Sequence, residues 1–159
     1  MGHLFATAGA KLHIGGALAF DGTDFSASSF SGQSWTEIKA LSSLGSLGDA
    51  AEMISFNEIG AERTRKLKGT RNAGQMQIVA GLDYADPGQL ALIAAEKTDA
   101  TYAFRLVFDD APSGGTPSER LFTALVISAT EQLDEANSVV TLNATLEIDS
   151  NIVRVSAAA

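Results

Sequence analysis

The sequence predicts a mainly β chain: an antiparallel β-sandwich or barrel-like domain with one flanking α-helix and a long inter-subunit loop. Three observations predict it. Segments that alternate apolar and polar residues recur along the chain, and the clearest covers residues 138–149. There Val140, Leu142, Ala144, Leu146 and Ile148 line one face, and Thr141, Asn143, Thr145, Glu147 and Asp149 line the other. Only one segment, beginning at Asp86, combines helical spacing with a start signal. The strand segments lie far apart in sequence and are divided by Gly-, Pro- and Ser-rich stretches, as in antiparallel sandwiches and barrels. At 159 residues, with no internal repeat and no linker, the chain reads as one domain.

Residues 11–20 form the first strand segment. Leu12, Ile14, Leu18 and Phe20 share a face, and Gly15-Gly16 mark a bulge or a close backbone approach. Residues 21–34 have loop composition, with Phe25 and Phe30 interspersed. A short strand is expected over 35–38, starting at Trp35, then a loop with leucine anchors over 41–49. Residues 53–59 read as a strand, 58–74 as a long charged loop, and 75–82 as a strand with Met76, Ile78, Ala80 and Leu82 on one face.

The helix is expected to begin after Asp86. Asp86 can cap it, Pro87 suits the first helical position, and Gln89 completes a capping box. Leu90, Ile93, Ala94 and Lys97 follow at helical spacing, and the helix should stop near Lys97 or Thr98. Residues 101–108 form a strong strand, with Tyr102, Phe104, Leu106 and Phe108 opposite Arg105. Residues 109–118 hold Pro112, Gly114, Gly115 and Pro117 and form a loop or hairpin connection. Residues 121–129 are apolar on both faces, as in a strand covered on both sides. The small C-terminal residues, 155–159, are expected to fray. The total is six to eight strands and one helix.

Nineteen acids and eleven bases give a net charge of −8, against the basic face of a sequence-reading nucleic-acid binder. Charged residues are only 19% of the chain, fewer than a soluble monomer usually carries. A compact β domain with short polar loops explains that, and so does a surface covered in an oligomer. The absence of cysteine removes disulfides and thiolate metal sites. The N-terminus lacks the basic and apolar regions of a signal peptide, and no apolar run is long enough to span a membrane.

Catalytic chemistry is thin. His3 and His13 are the only histidines, and neither has a nucleophile or a ligand set beside it in sequence. The acid pairs Asp109-Asp110 and Asp134-Glu135 fall in expected turns. The glycine-rich segment 69–74 lacks the Lys-Ser/Thr order of a phosphate loop. The chain is therefore expected to be no enzyme and to hold no cofactor or metal.

Positive charge is concentrated. Arg63, Arg65, Lys66, Lys68 and Arg71 are five of the eleven bases and occupy nine positions. The segment reads as a solvated loop, as a nucleic-acid patch, or as an inter-subunit arm pairing with acids on a neighbour. No aromatic residues interleave with the charges, which disfavours the second. Arginine's planar fork suits the third. Glu131, Asp134, Glu135, Glu147 and Asp149 supply acids in the C-terminal third.

The order of these features resembles the tail tube (major tail) proteins of long-tailed bacteriophages. The resemblance runs over residues 11–155. It includes the Trp35 strand, the charged loop, the turn of 68–74 leading into Gln75-Met-Gln-Ile-Val, the helix Asp86-Pro-Gly-Gln-Leu-Ala-Leu-Ile and the strand Tyr102-Ala-Phe-Arg-Leu-Val-Phe. It implies a structural virion protein that forms hexameric rings, stacked into a tube through which the genome is ejected. The loop at 58–74 would reach neighbouring subunits or rings. The acids Glu131, Asp134, Glu135, Glu147 and Asp149 would line the lumen and repel phosphate. Implied partners are other copies of the chain, the tape measure, terminator and distal tail proteins, and viral DNA in transit, with no membrane insertion. Assembly would occur in the host cytoplasm. Alternatives are another tail component, such as a terminator or head-tail joining protein, or a monomeric barrel binding a small ligand or carbohydrate. In the last case Trp35, Tyr102, Phe104, Phe108 and Phe122 could line the pocket.

Overall fold

The computed structural model of the chain describes residues 4–159, so His3 lies outside the described residues. Among these residues there are ten strands and one α-helix. One antiparallel sheet holds β1 (Lys11–Ala17), β2 (Thr36–Ile38), β3 (Leu41–Ser43), β6 (Gln75–Gly81), β7 (Tyr102–Val107), β8 (Glu119–Gln132), β9 (Thr141–Ile148) and β10 (Val153–Val155). Its order is β2-β1-β7-β8-β9-β6-β3, with β10 also paired to β8. Two further strands, β4 (Ala50–Phe56) and β5 (Arg65–Asn72), pair only with each other. The helix, α1, is Pro87–Glu96.

The first and last strands of that order, β2 and β3, are consecutive in the chain. Only Lys39 and Ala40 separate them, and Ala40 turns the corner with φ +61°. The sheet therefore curls until its two ends meet at one corner, which gives the expected sandwich or barrel-like form. The inward faces supply the core: Leu12 and Ile14 of β1, Ile38, Ile78, Phe104, Phe122 and Leu146. Leu92 and Ala95 of α1 close it. The alternation over 138–149 is reproduced, with Leu142, Ala144, Leu146 and Ile148 buried and the residues between them half-buried.

The helix start is built as the sequence implies, with one difference. Asp86 Oδ accepts from the Gln89 amide at 3.2 Å and Pro87 opens the helix. Gln89 does not return the bond to Asp86. Its carboxamide donates to the carbonyls of Lys39 (3.0 Å) and Gly81 (2.8 Å) and accepts from the Asp83 amide (3.0 Å). These are backbone groups at the corner where β2, β3 and β6 meet. Left unpaired there they would cost more than a cap contributes, so the corner takes the side chain. Asp86 joins the same seal by accepting from the Lys39 amide at 2.9 Å. Gly88 permits the approach: a Cβ on it would lie 2.1 Å from the Glu37 carbonyl oxygen.

A second apolar cluster lies on the opposite face of the sheet. Phe30, Ala103 and Leu121 are buried there against Trp35, Phe25 and Val153. This is why residues 121–126 are covered on both sides. The first strand ends at Ala17, after a register shift between Ile14 and Ala17 at the Gly15-Gly16 pair. Leu18 consequently joins this second cluster and does not continue the Leu12–Ile14 face. The C-terminal residues do not hang free: β10 pairs with β8, and Ala158 exchanges both backbone hydrogen bonds with Thr116. Among the described residues no helix is long and apolar enough to cross a membrane.

Candidate assembly surfaces

The charged segment is not a loop. Residues 65–72 form β5, which pairs along β4 as the second strand of a hairpin, and the connection between them is 57–64. The registers Met53↔Lys68, Ile54↔Leu67, Ser55↔Lys66 and Phe56↔Arg65 set its two faces. Cross-strand partners share a face, so Ile54, Phe56, Leu67 and Arg65 lie on one side. Met53, Ser55, Lys66 and Lys68 lie on the other. Neither side is covered. Met53, Ile54, Phe56, Ile59 and Leu67 are all exposed, and every residue of the two strands is exposed except Ala51 and Gly69, which are half-buried. An isolated two-stranded ribbon is marginal in water, and apolar residues on both its faces have no core to join.

The root of this arm is fixed. Arg71 donates to Asp49 at 2.7 Å, a pair that raises the Arg71 pKa through the hydrogen bond and the charge of Asp49. Asp24 and Asp149 line the same cleft at the arm's base. Gly74 makes the turn into β6 with φ +72°, its amide donates to Asn72 Oδ1, and its carbonyl accepts from the Ile148 amide. Arg63, Arg65, Lys66 and Lys68 are exposed along the arm. Arm residues 50–72 hold five bases and three acids, a net +2, which leaves six bases and sixteen acids, −10, for the rest of the chain.

The five acids singled out from the sequence fall into two groups at opposite ends of β9. Glu131, Asp134 and Glu135 lie at the β8–β9 turn. Glu147 and Asp149 lie beside the arm root, where Glu147 is in register with Gln75. Glu131 pairs in register with Leu142 and so belongs to the face that carries the core, where it accepts a hydrogen bond from Tyr84, whose pKa it raises. Asp134 holds φ +51° in the turn and accepts from Gln132 at 2.9 Å. The outward face of β6, β9 and β8 presents Gln75, Gln77, Asn143, Thr145, Thr130 and Glu147. It is polar apart from Val79 and Leu125, which stand in register with Asn143 and Glu147, and between Gln75 and Glu147 it carries no base.

The aromatic residues proposed as a pocket lining are divided between layers. Phe104 and Phe122 stack on each other at 5.7 Å, fully buried in the core. Trp35 lies in the opposite cluster with the Arg105 guanidinium 5.1 Å from its ring centre. Phe108 packs with Phe5 and under Arg120. Tyr102, Phe104, Phe108 and Phe122 thus pack in or against one core cluster, and only Trp35 belongs to the cluster on the other face. His13 stands opposite Arg105 and Glu37, and burial together with the Arg105 charge lowers its pKa. Among the described residues no group of His, Asp and Glu is arranged to hold a metal ion. The hairpin itself was missed because a run of arginines and lysines hides strand alternation. Lysine is what solvent-facing edge strands carry, and that signal could have found it.

No family model and no curated relative matches the sequence. Solved structures do match in fold. A chain of the anti-feeding prophage baseplate superposes with a TM-score of 0.71 at 14% identity, over 98% of each chain. A chain of the PVC extracellular contractile injection system sheath/tube terminator gives 0.69 at 12% identity, over 98% of this chain and 99% of that one. The SPP1 tail tube gives 0.65 at 14% identity, over 92% of this chain and 76% of that one. The chain therefore has the fold that a phage tail tube shares with components of contractile injection systems.

Proposed function

We propose that this chain is a structural subunit of a phage-type tail tube, which forms hexameric rings with its own copies and stacks them into a channel for genome ejection. The observation that carries this reading is the β4–β5 arm, an element with apolar residues on both faces, no cover, and a charge opposite to that of the body. Another copy supplies what the arm lacks: apolar surface, strand edges and acids. Electrostatic complementarity of this kind fixes register more than it adds affinity. The fold likeness to a tail tube and to tube-associated chains supports the same reading.

The outward face of β6–β9–β8 is the candidate channel wall. Residues 121–153 contain five acids and no lysine or arginine. Since phosphate contacts dominate affinity for DNA, a wall without cations gives a duplex nothing to grip. Glu147 and Asp149 at one end and Asp134 and Glu135 at the other add repulsion, whereas Glu131 lies on the face that carries the core. The tape measure, terminator and distal tail proteins would meet the tube at its interior or its ends, and assembly would take place in the host cytoplasm. A second reading, a tube terminator, is favoured by the near-complete coverage of the sheath/tube terminator chain.

Negative-stain electron microscopy of the purified protein over a range of concentrations tests the proposal. Long tubes with a central hole support the tube subunit, and single rings that never stack support the terminator. Small monodisperse particles at every concentration, with or without preformed tube ends added, would sink both.

A further inference from the structure

Away from the arm, the outward face of the sheet holds a cleft of about 320 Å³ over β7 and β8, bordered by the connection at 27–35. Phe30, Trp35 and Leu121 supply its apolar walls, and Gln33, Arg105 and Glu119 supply its polar groups. Trp35 stacks on Phe30 with ring centres 6.5 Å apart, and the Arg105 guanidinium lies 5.1 Å from the Trp35 ring centre. The planar cation is thus held against a rigid aromatic wall.

Arg105 has donors to spare. Its Nε is buried with no hydrogen-bond partner, and its Nη1 stands 3.9 Å from Glu119 Oε1, too far for a hydrogen bond. The side chain is 26% exposed, so a ligand in the cleft can reach it. Glu37 is in register with His13, and His13 with Arg105, so this second carboxylate lies two strands away, about 10 Å. Burial and the Arg105 charge lower the His13 pKa, so His13 adds no further cation at neutral pH. Gln33 Oε1 accepts from the Gly16 amide at 2.8 Å, which leaves its NH2 group to donate. A half-buried cation short of hydrogen bonds is costly, and a matching anion would recover that cost.

We infer that this cleft binds a carboxylate carried on an apolar or aromatic body. The carboxylate meets the Arg105 fork and the Gln33 amide, and the body lies against Trp35, Phe30 and Leu121. Glu119 beside Arg105 tolerates one negative charge and resists two, so a monoanion is selected. The chain as a whole is acidic, with a net charge of −8, so charge alone does not hold the anion and the apolar walls must contribute. A free organic acid and the C-terminal residue of a peptide both offer this chemistry. The cleft lies within a single copy, so this binding does not depend on assembly.

Trp35 is the only tryptophan of the chain, so its fluorescence reads the cleft directly. Phenylacetate titrated into dilute protein should give a saturable change in emission. Acetate, which lacks the body, and phenylacetamide, which lacks the charge, should bind at least about tenfold more weakly. Arg105→Gln should weaken phenylacetate at least about tenfold, and Glu119→Gln should tighten it about two- to fivefold, with melting temperatures checking both folds. If Arg105→Gln does not fold, the amide control and Glu119→Gln decide. A short peptide ending in phenylalanine, compared with its C-terminal amide, separates the two sources. Binding of the acid peptide and not the amide shows that the cleft takes a chain end, and binding of phenylacetate alone restricts it to a free acid. No saturable change with phenylacetate, equal binding of phenylacetamide, or a Glu119→Gln variant that binds no tighter than wild type overturns the proposal.

Discussion

Replacing Phe56 and Leu67 together by serine separates the arm's part in assembly from any part in folding. Phe56 is 60% exposed and Leu67 65% exposed, so more than half of each side chain is still in water in the single copy. Burying a whole large apolar side chain contributes about 1.5–3 kcal/mol, so the exposed share of each is worth about 1–2 kcal/mol, or about 3 kcal/mol for the pair. At 1.4 kcal/mol per tenfold change, the critical concentration for assembly should rise about a hundredfold. The intramolecular losses are the cross-strand contacts of Leu67 with Ile54 and of Phe56 with Arg65, about 0.2–1 kcal/mol each, and they fall in a hairpin that pairs with no other strand. Melting of the body, followed by circular dichroism below the critical concentration, should stay within about 2 °C of wild type, since exposed substitutions rarely move stability by more than about 0.5 kcal/mol. The critical concentration is read by sedimentation. A value within threefold of wild type, with the fold intact, would refute the argument that arm burial drives association.

Three further outcomes follow from the body. Gln89→Leu leaves two carbonyls and one amide unpaired at the β2–β3–β6 corner, so it should cost about 3 kcal/mol and lower the melting temperature by about 9 °C, as thermal unfolding will show. Gly88→Ala must push α1 off β2, because its Cβ would meet the Glu37 carbonyl at 2.1 Å. A loss of about 3 kcal/mol is expected in urea unfolding, and a loss under 1 kcal/mol would contradict the packing. Asp110 accepts from the Ser118 hydroxyl and amide, which holds its pKa below the usual carboxylate range. A depressed folded pKa gives stability that is present above the unfolded pKa and lost as pH falls through the folded one. The deficit of Asp110→Asn relative to wild type should thus be full at neutral pH and shrink below about pH 4, measured by denaturant titrations across that range.

The alternating strands were legible because a half-buried strand has to alternate: β9 and β6 lie where the apolar spacing puts them, and so does the inward face of β1. The helix was legible from Asp86, Pro87 and the spacing of its apolar residues. What the sequence did not disclose were features whose cause lies elsewhere in the chain. Gln89 left its capping partner for a corner that joins Lys39, fifty positions earlier, to the nearby Gly81 and Asp83. Residues 65–72 form a strand although almost every one faces water, so no periodicity marks it. Glu131 moved to the core-bearing face because the register shift between Val126 and Ser128 reverses the alternation of β8. Asp134 and Glu135 ended far from Glu147 because one strand's length separates the two groups. The outward polar face of β9, by contrast, was plain from residues 141–147.

The strand order has a consequence for how the chain is made. β1 pairs with β7 about ninety residues later, and β6 with β9 about sixty-five residues later. Pairings at such separation must close large loops before any contact rewards them, and chains dominated by them fold slowly. During synthesis β1 and β6 therefore wait with open edges while the arm, closed by a short local connection, is free to form early. The nascent chain would then be adhesive before it is folded, and its yield in the cell would depend on how quickly β7, β8 and β9 arrive.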